Sequence, residues 1–352
     1  MNKLGPIHIT QRPAVIMGPA LIEAGDAPGI IIENVGDVII KDVIIRGSGR
    51  ADNQNHGIRI ENSGNATLNN VMLDNLEVSG FKEDGILVCS AAKHGFNNIK
   101  INNCRSHDNG RSGITVRAGD HAYPATPHSG VSVTHCIAHG NSGIPGLSEH
   151  SGSGIFISGF RRGLIQYCEA YENGALCDAT QSGPVGILAY NCDECIIEYN
   201  LSHDNHSNNH ADGGGFDLDG GTTNSMMRHN LSYYNGGYGF ELWDFFQGVT
   251  AFNRIHNDIS WHDCTTDALG AFSVFGRVMA SSIYSNIAYI KEGAIGVKLE
   301  KWTGSGLTFC DNLYFANGIA QHFVLADTTT PPLVIRDTLM VSTMHPGQFP
   351  LA

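Results

Sequence analysis

The chain has 352 residues, with 21 Lys and Arg against 34 Asp and Glu, a formal net charge of −13. That balance weighs against nucleic acid or an anionic membrane surface as the main partner, and no apolar run nears the roughly 18 residues of a membrane span. Length alone allows two or three domains, but no linker or compositional break divides the chain, so internal repeats decide the question.

The opening MNKLGPIHITQRP has no apolar core of a signal peptide and passes directly into the alternating IHI. A secreted or cell-surface protein lacking its signal segment is the preferred reading, with a cytoplasmic protein as the alternative. Residues 1–27 read as entry strands. From residue 28 to 342 two kinds of word alternate. The first is a glycine followed by a short period-2 run: GIRIEN at 57, GILVCS at 85, GITVRA at 113, GIFISG at 154, GILAYN at 186, GFDLDG at 215, GFELWD at 239 and GVKLEK at 296. Such runs read as strands with one apolar face. The second word follows each run: DNLEV, NCRSH, HCIAH, YCEAY, YNLSH, HNLSY, NDISW, SNIAY and DNLYF.

The second residues of these words are Asn75, Cys104, Cys136, Cys168, Asn200, Asn230, Asp258, Asn286 and Asn312, at gaps of 29, 32, 32, 32, 30, 28, 28 and 26. Gaps this regular, with no helical segment between, predict a coil of strands in which each turn stacks on the last and the apolar faces fuse into one core. Inward amides at one position would hydrogen-bond successive turns, with Cys104, Cys136 and Cys168 at the same site as small apolar substitutes. Three residues on, His107, His139, Tyr171, His203, Tyr233, Trp261, Tyr289 and Phe315 predict a stack of rings rather than a metal site. Turn words such as HDNGRSG, HGNSG, YENG and YYNGGYG follow. Residues 343–352 read as a tail, and the TTTPPL and MHPGQFP words are expected to wrap the last turn or dock elsewhere.

The pattern resembles the right-handed parallel β-helix superfamily of pectin and alginate lyases, polygalacturonases and phage tail spikes. The resemblance implies an all-β, single-domain solenoid of about ten coils, and it lies in the repeats rather than in a catalytic signature. The Asn-Thr-Asp, paired-Asp, Gly-His-Gly and Arg-Ile-Lys words of polygalacturonases do not occur here. Fold alone selects no reaction.

If the residue after each glycine points inward, the next points outward. One outward column then reads Arg59, Leu87, Thr115, Phe156, Leu188, Asp217, Glu241, Ser273 and Lys298. A second reads Glu61, Cys89, Arg117, Ser158, Tyr190, Asp219, Trp243, Phe275 and Glu300. Asp217, Asp219 and Glu241 therefore gather, facing water, and like charges so close raise at least one pKa. Tyr190, Trp243, Phe275 and Trp302 would supply rings to stack on sugars, with His210 and Arg117 as further substrate contacts.

Three functions fit. A glycoside hydrolase would use Glu241 as acid, Asp217 as its partner and Asp219 to tune them, with no cofactor. A calcium-dependent lyase or epimerase would hold Ca²⁺ on Asp217, Asp219 and Glu241 and use Lys298 as base. A noncatalytic glycan-binding or tail-spike-like protein would use only the aromatic groove. All three take a polysaccharide as partner, and exposed coil ends call for a missing cap or a second copy of the chain. CDEC at 192–195 reads as structural thiols, and Ser153 in Gly-Ser-Gly as part of an ordinary bend.

Overall fold

The computed structural model describes residues 2–343 except 91–92, 120–124, 210, 246–249, 267–268, 319–320 and 327–332. His210 and most of the two tail words lie outside the described residues.

The chain winds into a right-handed parallel β-solenoid of about eleven coils. Every strand pairing is parallel, and each coil contributes to three walls. One wall runs through Ile30–Glu33, Ile58–Asn62, Ile86–Ser90 and Ser112–Ala118 to Gly214–Leu218, Phe240–Asp244, Gly270–Gly276 and Ile295–Glu300. It carries the glycine-led words. Their first apolar residues, Ile58, Ile86, Ile114, Ile155, Ile187, Phe216, Phe240, Phe272 and Val297, are all fully buried. In the coils richest in acid the core becomes aromatic: Phe216, Phe240 and Phe272 stack with ring centres 5.1 and 5.3 Å apart. This buried area, roughly proportional to apolar surface removed from water, is the main force holding the coils together.

The bends are held by side-chain ladders. Asn200 Oδ1 accepts the Cys168 N–H at 2.8 Å, Asn230 Oδ1 accepts that of Asn200 at 3.0 Å, and Asn286 and Asn312 continue the pattern. Cys104, Cys136 and Cys168 fill the same position as buried thiols. The first word is out of step. Leu76, not Asn75, precedes the residue that pairs with Arg105, so Leu76 occupies the Cys104 position. Asn75 instead takes a left-handed turn (φ 55°) at the surface and donates to Asp42.

A second ladder went unread in the sequence. Asn109, Asn141, Asn173, Asn205 and Asn235 hydrogen-bond in series and end on Asp263. Its signal was present as the third residue of HDN, HGN, YEN, HDN and YYN, taken there for turn material. Beside it the ring stack forms as the spacing predicts, with centres 4.9, 4.7, 5.1 and 4.3 Å apart from His107 through His139, Tyr171 and His203 to Tyr233. Among the described residues no helix is long and apolar enough to cross a membrane.

Candidate active site

The first outward column forms residue by residue: Leu188 pairs with Asp217, Asp217 with Glu241, Glu241 with Ser273 and Ser273 with Lys298. Asp217 and Glu241 thus stand on neighbouring coils of one wall. They do not face open water as expected. Asp217 is 4% and Glu241 1% exposed. The outward column is itself apolar just upstream, and Val185, Leu188 and Tyr238, with Phe156, Tyr190 and Leu269, build a second small apolar cluster. Tyr238 reaches its place because Gly214 lacks a side chain: a Cβ there would stand 2.2 Å from the Tyr238 ring.

A cavity of about 630 Å³ opens beside this wall. Asp212, Asp217 and Asp219 line it, with Trp243, Phe275, Phe245, Glu300, Lys301 and His150. Trp243 and Phe275 stack face to face, centres 3.9 Å apart and planes 9° from parallel. Asp212 accepts the Gly183 N–H at 2.6 Å, and Asp219 that of Gly220 at 2.6 Å.

Burial, then the charges of Asp219, Glu241 and Asp212, push the Asp217 carboxyl well above its usual range. Burial, then Asp212 and Asp219, do the same to Glu241. Asp219 is raised to about 7, again chiefly by burial, with the Gly220 N–H pulling it down and Asp212 and Asp244 pushing it up. Tyr238 acts on Asp217 and Glu241 in the lowering direction. Its hydroxyl nevertheless reaches no partner in full hydrogen-bonding geometry among the described residues, and the same is true of Asp217 Oδ1 and Glu241 Oε2. Buried acceptors left this way are costly, and protonation is the cheapest relief for like carboxyls in low dielectric. All three carboxyls are thus pushed upward, Asp217 and Glu241 well above the usual range and Asp219 to about 7.

Other expected residues fall elsewhere. Lys298 lies two coils past Glu241 and pairs with Glu300 at 2.8 Å, while Lys301 lines the cavity, its ammonium 5.4 Å above the Phe275 ring. Trp302 offers no ring to the groove, a correction to its expected role. It is 2% exposed within the core and its indole N–H donates to the Val278 carbonyl at 3.0 Å. It sits just past the strand that ends at Glu300, where outward alternation no longer applies. Tyr190 and Arg117 line a neighbouring cavity on the preceding coils. Among the described residues no three His, Cys, Asp or Glu side chains converge as a metal-holding group. Cys192 and Cys195 are buried thiols, with the neighbouring Cys192 and burial pushing Cys195 up.

His150, which no motif singles out, lines both cavities. Its Nε2 lies 2.7 Å from the Ser153 hydroxyl, which also accepts the Val185 N–H at 2.9 Å. Ser153 is fully buried, so it props the ring rather than meeting a ligand. Burial, then Arg111, lower the His150 pKa to about 4. Only the 41-residue interval from Gly113 to Gly154 hinted at an elaborated loop here.

The model of the family described as "Right handed beta helix region" matches residues 71–255, more than half of the chain. The chain belongs to the right-handed β-helix family. No curated protein sequence matches it. Among solved structures it is similar to a lacto-N-biosidase from Eubacterium ramulus, with 14% identity, a TM-score of 0.52, and 95% of this chain and 53% of that one covered. It spans about half the length of that relative. It is also similar to Dettilon tailspike protein, at 14% identity, TM-score 0.57, and 92% and 61% coverage. A third is DFA-IIIase from Arthrobacter chlorophenolicus without its lid, in complex with GF2, at 13% identity, TM-score 0.54, and 92% and 89% coverage. Identities this low speak for the fold alone.

Proposed function

We propose that the protein is a glycoside hydrolase acting on a polysaccharide laid along the glycine-led wall. The observation that carries this reading is one cavity lined by Asp217, whose carboxyl burial and like charges push well above its usual range, by Asp219, raised to about 7, and by the stacked Trp243 and Phe275. Hydrolysis needs such a pair: one carboxylic acid protonates the leaving oxygen, and one carboxylate activates water or attacks. Asp217 takes the acid role because it lines the cavity, whereas the more deeply buried Glu241 is not among the lining residues. Asp219 takes the base role. Asp219 follows Asp217 by two residues, just past the strand that ends at Leu218, so both carboxyls reach the same cavity. The aromatic pair stacks on the apolar face of a sugar ring. The fold is one that a lacto-N-biosidase shares.

The test is a screen of neutral and uronic glycans for new reducing ends. Asp217→Asn is expected to lower turnover by about 10²–10⁴-fold while binding persists; wild-type turnover in that variant would overturn the assignment. Calcium-assisted elimination is the second reading, favoured by one observation, that Lys301 shares the cavity with the acids. An unsaturated uronate, lost with EDTA, would be its product, with Asp217 and Asp219 as the acids of the cavity that would meet the ion. Binding without any product would favour a glycan-binding role.

A further inference from the structure

A second cavity, of about 360 Å³, opens on the same wall over the coils that precede the acids. Its chemistry differs. Arg111 on its rim is engaged by Glu83 at 2.7 Å and Glu149 at 3.5 Å. Arg117, half-buried beside it, makes no ion pair among the described residues. On the floor Asp84 is 1% exposed, and the Thr115 hydroxyl donates to its Oδ1 at 2.7 Å. Asp84 Oδ2, 3.4 Å from His56 Nδ1, receives no hydrogen bond among the described residues. Burial pushes this carboxyl up, but His56, Arg117 and Thr115 outweigh it and hold it below its usual range. A buried carboxylate and a guanidinium that acts on it through space, without a direct ion pair among the described residues, thus border one space, with Phe156 and Tyr190 as walls.

We infer that this cavity takes a hydroxylated sugar unit bearing a carboxylate or sulfate, its anion on Arg117 and a hydroxyl donating to Asp84 Oδ2. Arg117 supplies a planar fork matched to either anion. The acidic cavity downstream repels such a unit, so charge along the face sorts the ligand: a neutral unit over Asp217, an acidic one over Arg117. The two cavities share His150 and are bridged by the stacked Tyr190 and Phe245, 5.9 Å between ring centres. From the Arg117 coil to the Asp219 coil is three steps, through Ser158 and Tyr190. That is about 14 Å, so one ligand filling both is an oligosaccharide. The substrate statement deepens the hydrolase reading; the binding statement stands without it.

The test measures binding by calorimetry on the Asp217→Asn protein, so turnover does not enter. The probes are a tetrasaccharide containing uronate, the same compound with its carboxyls reduced, and a sulfated neutral tetrasaccharide. We expect at least one anionic probe to bind tenfold or more tighter than the reduced one, with the better anion naming the group. Adding Arg117→Gln should abolish that preference without changing affinity for the reduced probe, while Arg117→Lys retains part of it; an unchanged melting temperature certifies the fold. Equal affinity for all three probes, or a preference that survives Arg117→Gln, overturns the inference. Anion preference without hydrolysis by the parent protein would sink the hydrolase reading and leave this one standing.

Discussion

Carboxyls are buried in two quite different ways in neighbouring coils. At the bends, Asp258 and Asp263 take positions that other coils fill with Asn. Asp258 Oδ1 accepts both the N–H and the amide of Asn230, at 2.7 and 3.0 Å, and Asp263 receives Asn235 and the Ser260 hydroxyl. On the glycine-led wall, Asp217 and Glu241 occupy a column of mixed residues, and each leaves an oxygen without a donor among the described residues, as Asp258 Oδ2 also does, but neither has an Asn ladder partner on its other oxygen. Both settings raise the carboxyl, by burial first. The ladder surrounds its acids with donors and uses them as imperfect amides. The wall sets its acids against other acids and opens Asp217 to a cavity, an arrangement that suits proton transfer.

Substitution to the amide separates the two most sharply. Asp217→Asn should cost about 10²–10⁴-fold in turnover with the melting temperature unchanged or raised, whereas Asp258→Asn should leave turnover alone; steady-state kinetics with thermal melts reads both. The pH profile comes next. Asp219, raised to about 7, works as a base only when ionised, so activity should rise as pH increases through about 7, by up to tenfold per unit below it, and fall again at higher pH as Asp217 loses its proton. Asp219→Asn should erase the rising limb.

Breaking the ladder gives a smaller effect, purely on stability. Asn205 accepts from Asn173 and donates to Ala170, Ser202 and Asn235. Asn205→Ala orphans several buried groups and should destabilise by about 3 kcal/mol in urea unfolding. Asp263→Asn should have the smallest effect and the opposite sign. Its folded pKa is raised from 3.8 to about 6, so its contribution is complete below 3.8 and is lost as pH rises through about 6. The amide removes that loss and reproduces the Asn-to-Ser bond of Asn205 and Asn235. A gain of about 1–3 kcal/mol at pH 8, shrinking towards pH 4, is expected from unfolding at both values.

The sequence revealed most where contacts are periodic. The column from Arg59 to Lys298 and the ring stack from His107 to Phe315 could be read because each residue meets its counterpart one coil on. It revealed least where packing comes from outside the repeat. Whether Asp217 and Glu241 meet water depends on Tyr238, Leu188 and loop residues that follow no period, and the shared place of His150 depends on an inserted loop. Trp302 is near the groove in sequence but lies past Glu300, where the chain has left the strand and the ring packs into the core. Asn75 misled because a short word fits two registers one residue apart.

The parallel stack also acts as a ruler. Distances along the wall come in whole coils, since every strand sits one rise above the last, so the gap between the Arg117 end and the Asp219 end is graduated rather than continuous. Removing or duplicating a single turn between them would shift the preferred ligand length by one fixed notch, leaving the chemistry at either end intact.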